Sequence, residues 1–446
     1  MGDSMEEIKT EVKEENKPVG EKRSDEISMP HLIGGFVKWF VISVVIGIVV
    51  GGVAAAFDIS VEWATEYRKG HDYIIFFLPL AGIVIAKGYS LLGMENDKGT
   101  NSVLVSVREG KKLSFRMMLL IFSSTVLTHL FGGSSGREGA ALQIGGSTAD
   151  FICRPLKLDE KDHSVMTMCG MSAGFSALFG TPVAAALFAM EITTVGSFQY
   201  SALVPCVISA ITGAMVSGSF GVKSAAFSVF GIVPFSVNAV EEMLFTILFA
   251  VLSAFLSILF CKMLHKSSEL YAKYFPNAMI RAFVGGLIVV GLTLLVGTRD
   301  YNGAGMDVIT RAFAGDVRYE AFLMKMIFTA LTLGAGFKGG EIVPTMFVGA
   351  TAGSALSMCW NEVTPSFGAA VGLASMFCGV TNCPITTLVL TVELFGSRGL
   401  PFFAVAVAVS YLLSGYDGLY GSQEILFSKL RPVKIKRMTG EKGTKK

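Results

Sequence analysis

Charged side chains are scarce in this sequence. Asp, Glu, Lys and Arg make up 16% of its 446 residues, whereas hydrophobic residues make up 52%. Because soluble domains carry about 25% charged residues, this composition excludes an ordinary soluble protein. Apolar stretches recur along the chain, and several are shorter than the roughly 20 residues that span a bilayer. The sequence therefore predicts an all-α polytopic membrane protein that contains broken, re-entrant or tilted helices.

Paired cysteines are also missing. The seven cysteines are scattered, mostly inside apolar runs, and no two of them form a Cys-x-x-Cys motif. The five histidines are equally dispersed, without the spacing of metal ligands. We therefore expect free packing cysteines, no disulfide, no metal and no cofactor. The formal net charge of +2 gives no support for nucleic-acid binding.

The two ends of the chain are polar. Residues 1–30 are rich in Glu and Lys and are predicted to form a disordered tail rather than a cleavable signal peptide. Residues 426–446 form a basic tail, and two basic loops lie at Arg108–Arg116 and Arg154–Lys161. By the positive-inside rule these segments lie in the cytoplasm. We expect a cell-membrane protein with both termini cytoplasmic.

The chain is organised around the segment Gly132–Gly139, which has the sequence GGSSGREG and is flanked by apolar residues on both sides. Arg137 and Glu138 are costly in lipid, so they are expected to line a protein-enclosed pathway. Glycines allow a tight turn, and a helix that starts near Glu138 would point its free N–H groups at an anion. A re-entrant turn packed for purely structural reasons is the alternative at this point.

Two halves of the chain repeat the same order of features. In residues 31–225, a Gly-rich loop precedes a turn at Pro182 and an apolar helix that ends near Glu191. In residues 226–425, the loop Gly334–Pro344 precedes a turn at Pro384 and a helix that ends near Glu393. Such weak symmetry, with Gly and Pro interruptions, is typical of an inverted-repeat transporter. Each proline suits the first turn of a helix.

Two further polar breaks interrupt the apolar sequence. One is Lys98–Ser102, and the other is Gly415–Ser422, where Tyr420 lies among flexible glycines. Each break on its own is typical of a loop. Four breaks that can all point donors toward the middle of the membrane indicate one shared site.

These motifs resemble those of the CLC family of chloride channels and anion/proton antiporters. The GGSSGREG segment is similar to the family's first signature, and Gly339–Pro344 is similar to its second. The segments Gly99–Ser102 and Leu419–Tyr420 match the positions of its remaining anion-site segments. The resemblance covers roughly residues 31–425 and implies the CLC-like inverted-repeat fold. It also implies a homodimer in which each subunit has its own anion pathway.

The resemblance assigns residues by position. Glu138 matches the gating glutamate, whose ionised carboxylate occupies the anion site and whose protonated form swings away and carries a proton. Glu341 is a second carboxylate near the pathway. The remaining anion-site positions are Thr100, Asn101, Gly136, Arg137, Gly139, Ile342, Val343 and Tyr420. Of Thr100, Asn101 and Ser102, Asn101 is the first choice to face the ion.

Three departures from the chloride members resemble the fluoride/proton antiporter branch. The first segment reads Gly-Thr-Asn-Ser-Val where chloride members carry Gly-Ser-Gly-Ile-Pro, and Glu341 replaces an apolar residue. Ile192 stands where chloride/proton exchangers place a proton-handling glutamate. Fluoride is a strong hydrogen-bond acceptor, which suits amide, hydroxyl and ring-edge donors. The predicted function is export of fluoride in exchange for protons across the lipid bilayer.

Several alternatives stay open from the sequence. A chloride/proton antiporter or chloride channel is the closest, and an intramembrane enzyme that uses Ser134 or Ser135 as nucleophile is a remote one. Glu341 could donate a hydrogen bond, relay a proton, or only stabilise the start of a helix. The other conspicuous polar residues are assigned supporting roles, with His129 as a buried structural histidine, Glu191 and Glu393 as capping or intersubunit groups, and Lys338 as a vestibule charge.

Overall fold

The computed structural model describes residues 29–156, 158–223, 227, 229 and 239–441. The tail predicted over residues 1–30 lies outside the described residues as far as residue 28, and the first helix of the described residues begins at Met29. The chain divides into a short unit, Met1–Val41, and a main unit, Ile42–Lys446, which contains every contact described below. The predicted boundary between repeats at 225/226 also lies within a mostly undescribed stretch, so it stays a prediction.

The described residues form sixteen α-helices, which confirms the predicted all-α membrane fold. In chain order they are α1 Met29–Gly70, α2 Leu78–Leu91, α3 Thr100–Glu109, α4 Phe115–Leu130, α5 Glu138–Cys153, α6 Glu160–Phe179, α7 Pro182–Glu191, α8 Leu203–Ser219, α9 Val240–Tyr274, α10 Ala278–Val296, α11 Met306–Phe313, α12 Ala321–Gly334, α13 Ile342–Ser357, α14 Pro365–Thr381, α15 Pro384–Phe395 and α16 Leu400–Leu413.

Helix lengths agree with the prediction of broken helices. Within the described residues, five helical segments are long and apolar enough to cross a membrane, and seven shorter apolar segments have 10–17 residues. The short helices include α13, which follows the second Gly-rich loop as α5 follows the first. They also include α7 and α15, the helices that begin at Pro182 and Pro384. A helix of 16 residues is only about 24 Å long, so such helices end inside the hydrocarbon region. Their ends must therefore be satisfied by protein groups or by a bound ion.

Glycine allows very close packing at equivalent places in the two halves. A Cβ atom on Gly145 of α5 would lie 2.0 Å from the carbonyl oxygen of Gly170 on α6. A Cβ atom on Gly353 of α13 would likewise lie 2.0 Å from the carbonyl oxygen of Gly368 on α14. No side chain fits at either contact, so backbone meets backbone directly. The same glycine-mediated helix pair thus follows each signature loop.

Helices α7 and α15 cap one another. The carboxylate of Glu191, in the last turn of α7, accepts hydrogen bonds from the backbone N–H groups of Ile385 and Thr386 at 3.1 and 2.8 Å. The carboxylate of Glu393 on α15 accepts from the N–H groups of Val183 and Ala184 at 3.0 and 2.8 Å. Carboxylates at helix N-termini satisfy free donors and interact favourably with the helix dipole. The capping role predicted for both glutamates is confirmed.

A small sheet, which the sequence pattern did not indicate, fastens the C-terminal segment. Strand β1 (Thr194–Val195) pairs in parallel with β2 (Glu424–Phe427), and β2 pairs antiparallel with β3 (Lys434–Met438). Because β1 directly follows α7, the sheet holds the residues after α16 against the end of α7. The segment assigned above only as a basic tail is therefore structured through residue 441.

Candidate functional site

Two Gly-rich turns from opposite halves of the chain meet at Gly136 and Gly340. Each residue donates its N–H to the carbonyl of the other at 2.7 Å, which forms an isolated antiparallel bridge. A Cβ atom on Gly340 would lie 2.6 Å from the backbone nitrogen of Gly139, and one on Gly136 would lie 2.7 Å from a carboxylate oxygen of Glu138. Glycine is therefore required at Gly340, where the close atom is backbone, whereas a side chain at Gly136 would displace the Glu138 carboxylate. The bridge holds the starts of α5 and α13 together.

The N-termini of α5 and α13 supply backbone donors at this bridge. The first intrahelical hydrogen bonds run from Ala141 N–H to the carbonyl of Arg137 and from Thr345 N–H to that of Glu341. The N–H groups of Gly139, Ile342 and Val343 precede these bonds, so they have no acceptor within their helices. All three residues are buried. Such donors, at the positive ends of helix dipoles, form an anion-binding arrangement.

The carboxylate of Glu138 folds over the start of its own helix. The side chain is buried, and its Oε2 accepts a hydrogen bond from the backbone N–H of Arg137 at 2.9 Å. The Arg137 guanidinium forms an ion pair with the buried Asp58 on α1, whereas its Nε lies 3.8 Å from Glu138 Oε1. The Glu138 carboxylate thus takes its hydrogen bond from the backbone of Arg137, and the Arg137 side chain, which pairs with Asp58, lies at the longer ion-pair distance.

Thr100, Asn101 and Ser102 begin α3 but point to different partners. Thr100 Oγ1 donates to the Gly139 carbonyl at 3.4 Å and accepts from Gln143 Nε2 at 3.2 Å. Asn101 Oδ1 accepts from the backbone N–H of Ser422 at 2.9 Å, which leaves its amide NH₂ group as a donor. The Ser102 hydroxyl donates to Asp97 within a local turn. Thr100 therefore contacts α5, Asn101 contacts the Tyr420 loop, and Ser102 faces away from both.

Several buried polar atoms of the residues around the two Gly-rich turns have no hydrogen-bond partner within the described part of the chain. Among them are the hydroxyl oxygen of Ser135, Oε1 of Gln143, Oε2 of Glu341 and the hydroxyl oxygen of Tyr420. A Cβ atom on Gly139 would lie 3.5 Å from both Glu341 Oε2 and Thr100 Oγ1, which places these two side chains beside the start of α5. Buried polar groups are normally paired, so unpaired ones at one place point to a bound ion or water.

The Tyr420 loop is fixed by the C-terminal segment. The Tyr420 carbonyl accepts hydrogen bonds from Gln423 N–H at 2.9 Å and from the Thr439 hydroxyl at 2.8 Å. Gln423 Nε2 in turn donates to the carbonyls of Ile192 at 3.0 Å and Thr381 at 2.7 Å. Ile192 is completely buried. The position of Tyr420 therefore depends on residues from three separate parts of the chain.

Several contributors were missed from the sequence. Asp58, Gln143 and Ser422 contact Arg137, Thr100 and Asn101 respectively, yet they lie far from these partners in the chain. For Asp58 a signal was available, because it is the first acidic residue after a long apolar run that contains no Asp or Glu. Gln143 and Ser422 have no comparable signal, since their roles arise only from packing.

The other residues singled out from the sequence have partners of their own in the structure. All seven cysteines, which lie within the described residues, are free, and six of them are buried. The buried ring of His129 contacts the Thr125 carbonyl through Nδ1 at 2.9 Å. The Ser134 hydroxyl contacts the Thr329 hydroxyl at 3.0 Å rather than a histidine or a carboxylate. The Lys338 ammonium lies over the Tyr89 ring at 4.3 Å. These contacts do not pair Ser134 with a general base.

The sequence was compared with known protein families and with known proteins. A family model described as "Voltage gated chloride channel" matches residues 89–415. A chloride/fluoride channel protein of Pseudomonas syringae pv. tomato is 34% identical over 401 residues, which cover 88% of this chain and 87% of that protein. An H(+)/Cl(-) exchange transporter of Yersinia pestis is 25% identical over 384 residues, or 79% of each chain.

Solved structures show the same fold. A CLC-type fluoride/proton antiporter has a TM-score of 0.83 and 30% identity, and the match covers 90% of this chain and all of that one. A slow cyanobacterial Cl-/H+ antiporter has a TM-score of 0.68 and 17% identity, with 84% of this chain and 94% of that one covered. The second likeness supports the fold alone, whereas the first extends to sequence as well.

Proposed function

Since this chain belongs to the CLC family of anion channels and transporters, we propose that it is a fluoride/proton antiporter that exports fluoride as protons enter. The observation that carries the proposal is the Glu138 carboxylate lying at the Gly136–Gly340 bridge, beside the free N–H groups of two helices. The departures at Asn101, Glu341 and Ile192, together with the fluoride-linked relatives, favour fluoride over chloride.

Competition for one set of donors explains the exchange. When ionised, the Glu138 carboxylate accepts from the Arg137 N–H at the start of α5 and places its negative charge beside the free donors, so an anion is excluded. When Glu138 is protonated, it loses its negative charge, moves off these donors and carries the proton, while the anion takes its place. Because carboxylate and anion cannot occupy the donors together, movement of one requires movement of the other. Movement of the Glu138 side chain alone therefore couples proton transport to anion transport.

The chemistry of the surrounding donors suits a small anion. Backbone N–H groups, the Asn101 amide and the Tyr420 hydroxyl carry partial rather than full positive charges. Partial charges allow an anion to bind and still leave, whereas a full countercharge would hold it too tightly. The Arg137 guanidinium does not act as a full countercharge to the anion, because its charge is paired with that of Asp58. Oε2 of Glu341 lies beside the start of α5 without a hydrogen-bond partner in the described part of the chain, so a protonated Glu341 is available to donate a hydrogen bond to the anion or to exchange a proton.

We also propose a homodimer in the cell membrane with both termini in the cytoplasm. The dimer follows from membership of the family, and the orientation follows from the basic segments at 108–116, 154–161 and 426–446. Light scattering of the purified protein in detergent tests the dimer. Protease cleavage of a C-terminal tag in inside-out and right-side-out vesicles tests the orientation. A tag cleaved only in right-side-out vesicles would contradict it.

Paired ion-flux measurements test the proposed function. The purified protein is reconstituted into liposomes loaded with fluoride or chloride, and efflux of each anion is recorded with an ion-selective electrode. We expect fast fluoride efflux and little chloride efflux. Comparable chloride efflux would instead identify a chloride/proton antiporter or a chloride channel. A Ser134→Ala, Ser135→Ala double variant that loses fluoride flux together with a measurable hydrolytic activity would revive the enzyme alternative.

A further inference from the structure

A buried lysine lies close to the signature loop and has no role in the exchange described above. Lys325 is on α12, and its side chain is fully buried. Its ammonium donates hydrogen bonds to the backbone carbonyls of Tyr301 at 3.2 Å and Gly303 at 2.6 Å. It also lies 5.1 Å from the centre of the Phe347 ring. These partners carry only partial negative charge, so the positive charge of Lys325 is not neutralised by them.

The face of α12 that carries Lys325 is the face turned toward the signature loop. Thr329 and Thr332 follow Lys325 by four and seven residues, so the three side chains share one side of the helix. The Thr329 hydroxyl contacts the Ser134 hydroxyl at 3.0 Å, and Thr332 Oγ1 accepts a hydrogen bond from the Ser134 backbone N–H at 3.1 Å. The Lys325 side chain is thus placed beside the loop that leads to Glu138.

Gly303 connects the Lys325 ammonium to the signature loop directly. The carbonyl of Gly303 accepts from Lys325, and its N–H donates to the Gly133 carbonyl at 3.0 Å. The neighbouring Asn302 side chain donates to the Gly132 carbonyl at 2.8 Å. The turn at 302–303 therefore bridges the lysine and the start of the GGSSGREG segment through single hydrogen bonds.

A second buried cation lies next to Lys325. The Arg68 guanidinium donates to the His129 carbonyl at 2.9 Å, and a Cβ atom on Gly303 would lie 2.7 Å from its Nη1. Arg68 and Lys325 therefore lie against the same residue, Gly303. The other charged groups around Arg68, namely Arg299, Asp307 and Glu66, expose 38%, 71% and 65% of their side chains. Solvent screens these three, whereas the buried pair is screened much less.

Two buried like charges are unfavourable for folding, so their presence calls for a functional explanation. A purely structural link between α12 and the turn at 302–303 needs only hydrogen-bond donors, which a neutral amide also supplies. A positive charge, by contrast, acts at a distance on an anion in a low-dielectric region. We propose that Lys325, supported by Arg68, is a fixed positive charge that raises the affinity of the Glu138 site for the transported anion.

The location of this pair also indicates which end of the pathway it serves. Helix α4 begins at Phe115, beside the basic loop 108–116, and ends at Leu130, about 24 Å further along its axis. Arg68 binds the carbonyl of His129 at that far end. In the proposed orientation, Lys325 and Arg68 therefore lie toward the extracellular side of the site.

Fluoride titration of the purified full-length protein tests this inference, which rests on the proposed function. Isothermal titration calorimetry is performed on the wild type, Lys325→Met, Lys325→Gln and Lys69→Met. Lys325→Gln keeps a donor for the carbonyls of Tyr301 and Gly303 but removes the charge. At an effective dielectric constant of about 20, a unit charge acting over a distance on the order of 10 Å changes the affinity for an anion roughly tenfold. We expect both Lys325 variants to weaken fluoride binding by about this factor.

Lys69→Met is the matched control, because Lys69 is a neighbouring lysine whose side chain is 44% exposed and paired with Glu66 and Asp307. It should bind fluoride like the wild type. Thermal unfolding should show that Lys325→Gln, which keeps a donor for both carbonyls, is about as stable as the wild type, whereas Lys325→Met removes the donor to Tyr301 and Gly303 and should be less stable. Wild-type affinity in Lys325→Gln would overturn the inference and leave Lys325 as a structural link. If the wild type binds chloride rather than fluoride, the proposed function fails, and the same series with chloride tests the charge.

Discussion

Gly136 and Gly340 exchange two backbone hydrogen bonds of 2.7 Å across the centre of the protein. The two residues come from opposite halves of the chain, 204 positions apart by their numbers, and their strands run antiparallel. This bridge places the starts of α5 and α13 on either side of one small region. The free helix N-terminal donors and the Glu138 carboxylate meet there, so the bridge is the structural basis of the proposed anion site.

Replacing a bridge glycine should disrupt the site. In Gly340→Ala, the added methyl group would lie 2.6 Å from the backbone nitrogen of Gly139, and neither backbone can move without breaking the bridge. We expect loss of fluoride flux in liposomes and a lower thermal unfolding temperature. Gly291→Ala on α10 is the control, because nothing lies within 4 Å of the added methyl group there. Equal flux in both variants would show that the bridge is dispensable.

Glu138→Gln should uncouple fluoride transport from proton transport. The amide keeps the size of the carboxylate but cannot carry a proton, so proton movement should stop while anion movement continues passively. The measurement is simultaneous recording of external pH and fluoride during efflux from liposomes. Glu341→Gln, measured in parallel, shows whether the second carboxylate also takes part in proton transfer. Uphill proton movement by Glu138→Gln at the wild-type rate would remove Glu138 from the mechanism.

Asn101→Asp tests the donor role of the Asn101 amide. The carboxylate still accepts the hydrogen bond from Ser422 N–H, so the contact between α3 and the Tyr420 loop is kept. The variant loses the NH₂ donor and adds a negative charge, both of which disfavour an anion. We expect fluoride flux to fall at least tenfold with little change in thermal stability. Unchanged flux would mean that Asn101 only holds the loop.

Glu191 and Glu393, which cap the starts of α15 and α7, are expected to contribute to stability and not to ion transport. In Glu191→Gln, one oxygen that accepts backbone N–H groups is replaced by an NH₂ group that repels them. Mispairing of a buried polar group costs about 1–3 kcal/mol, so the unfolding temperature should drop. Glu393→Gln should behave similarly, because its contacts are equivalent. The ratio of protons to fluoride should stay constant, and a changed ratio would instead assign these carboxylates to proton transfer.

Lys429, which lies outside the membrane helices, should make the stability of the folded protein depend on pH. Its ammonium donates to Asn382 Oδ1 at 2.6 Å and to the Tyr411 carbonyl at 2.8 Å, and burial lowers the pKa of Lys429 to about 8. Since the unfolded chain binds this proton more tightly than the folded one, stability should rise with pH from about 8 to about 10.4. Lys429→Met should flatten this part of the unfolding-temperature profile. An unchanged slope would contradict the assignment.

Much of the fold followed from local sequence signals. Prolines 182 and 384 do begin helices, and Glu138 begins α5, because these residue types have strong preferences at helix starts. The short apolar stretches correctly indicated helices that end within the membrane. The C-terminal sheet gave no signal, since strands of two to five residues are too short to show an alternating pattern.

Side-chain partners could be predicted less well than helices. The ion pair of Arg137 with Asp58 and the hydrogen bond of Asn101 with Ser422 join residues that only the packed structure brings together. Hydrophobic pattern determines which face of a helix is buried, but not which distant polar group lies opposite. The lone charge of Lys325 within an apolar helix was visible in the sequence, whereas its partners at Tyr301 and Gly303 were not.

Proton movement driven by a fluoride gradient tests the central claim most directly. Liposomes that contain the wild-type protein are loaded with fluoride and diluted into fluoride-free buffer of equal pH, with the membrane potential clamped to zero. We expect fluoride efflux to draw protons inward, so that the internal pH falls while the external pH rises. Fluoride efflux without any pH change would contradict it and identify a passive channel.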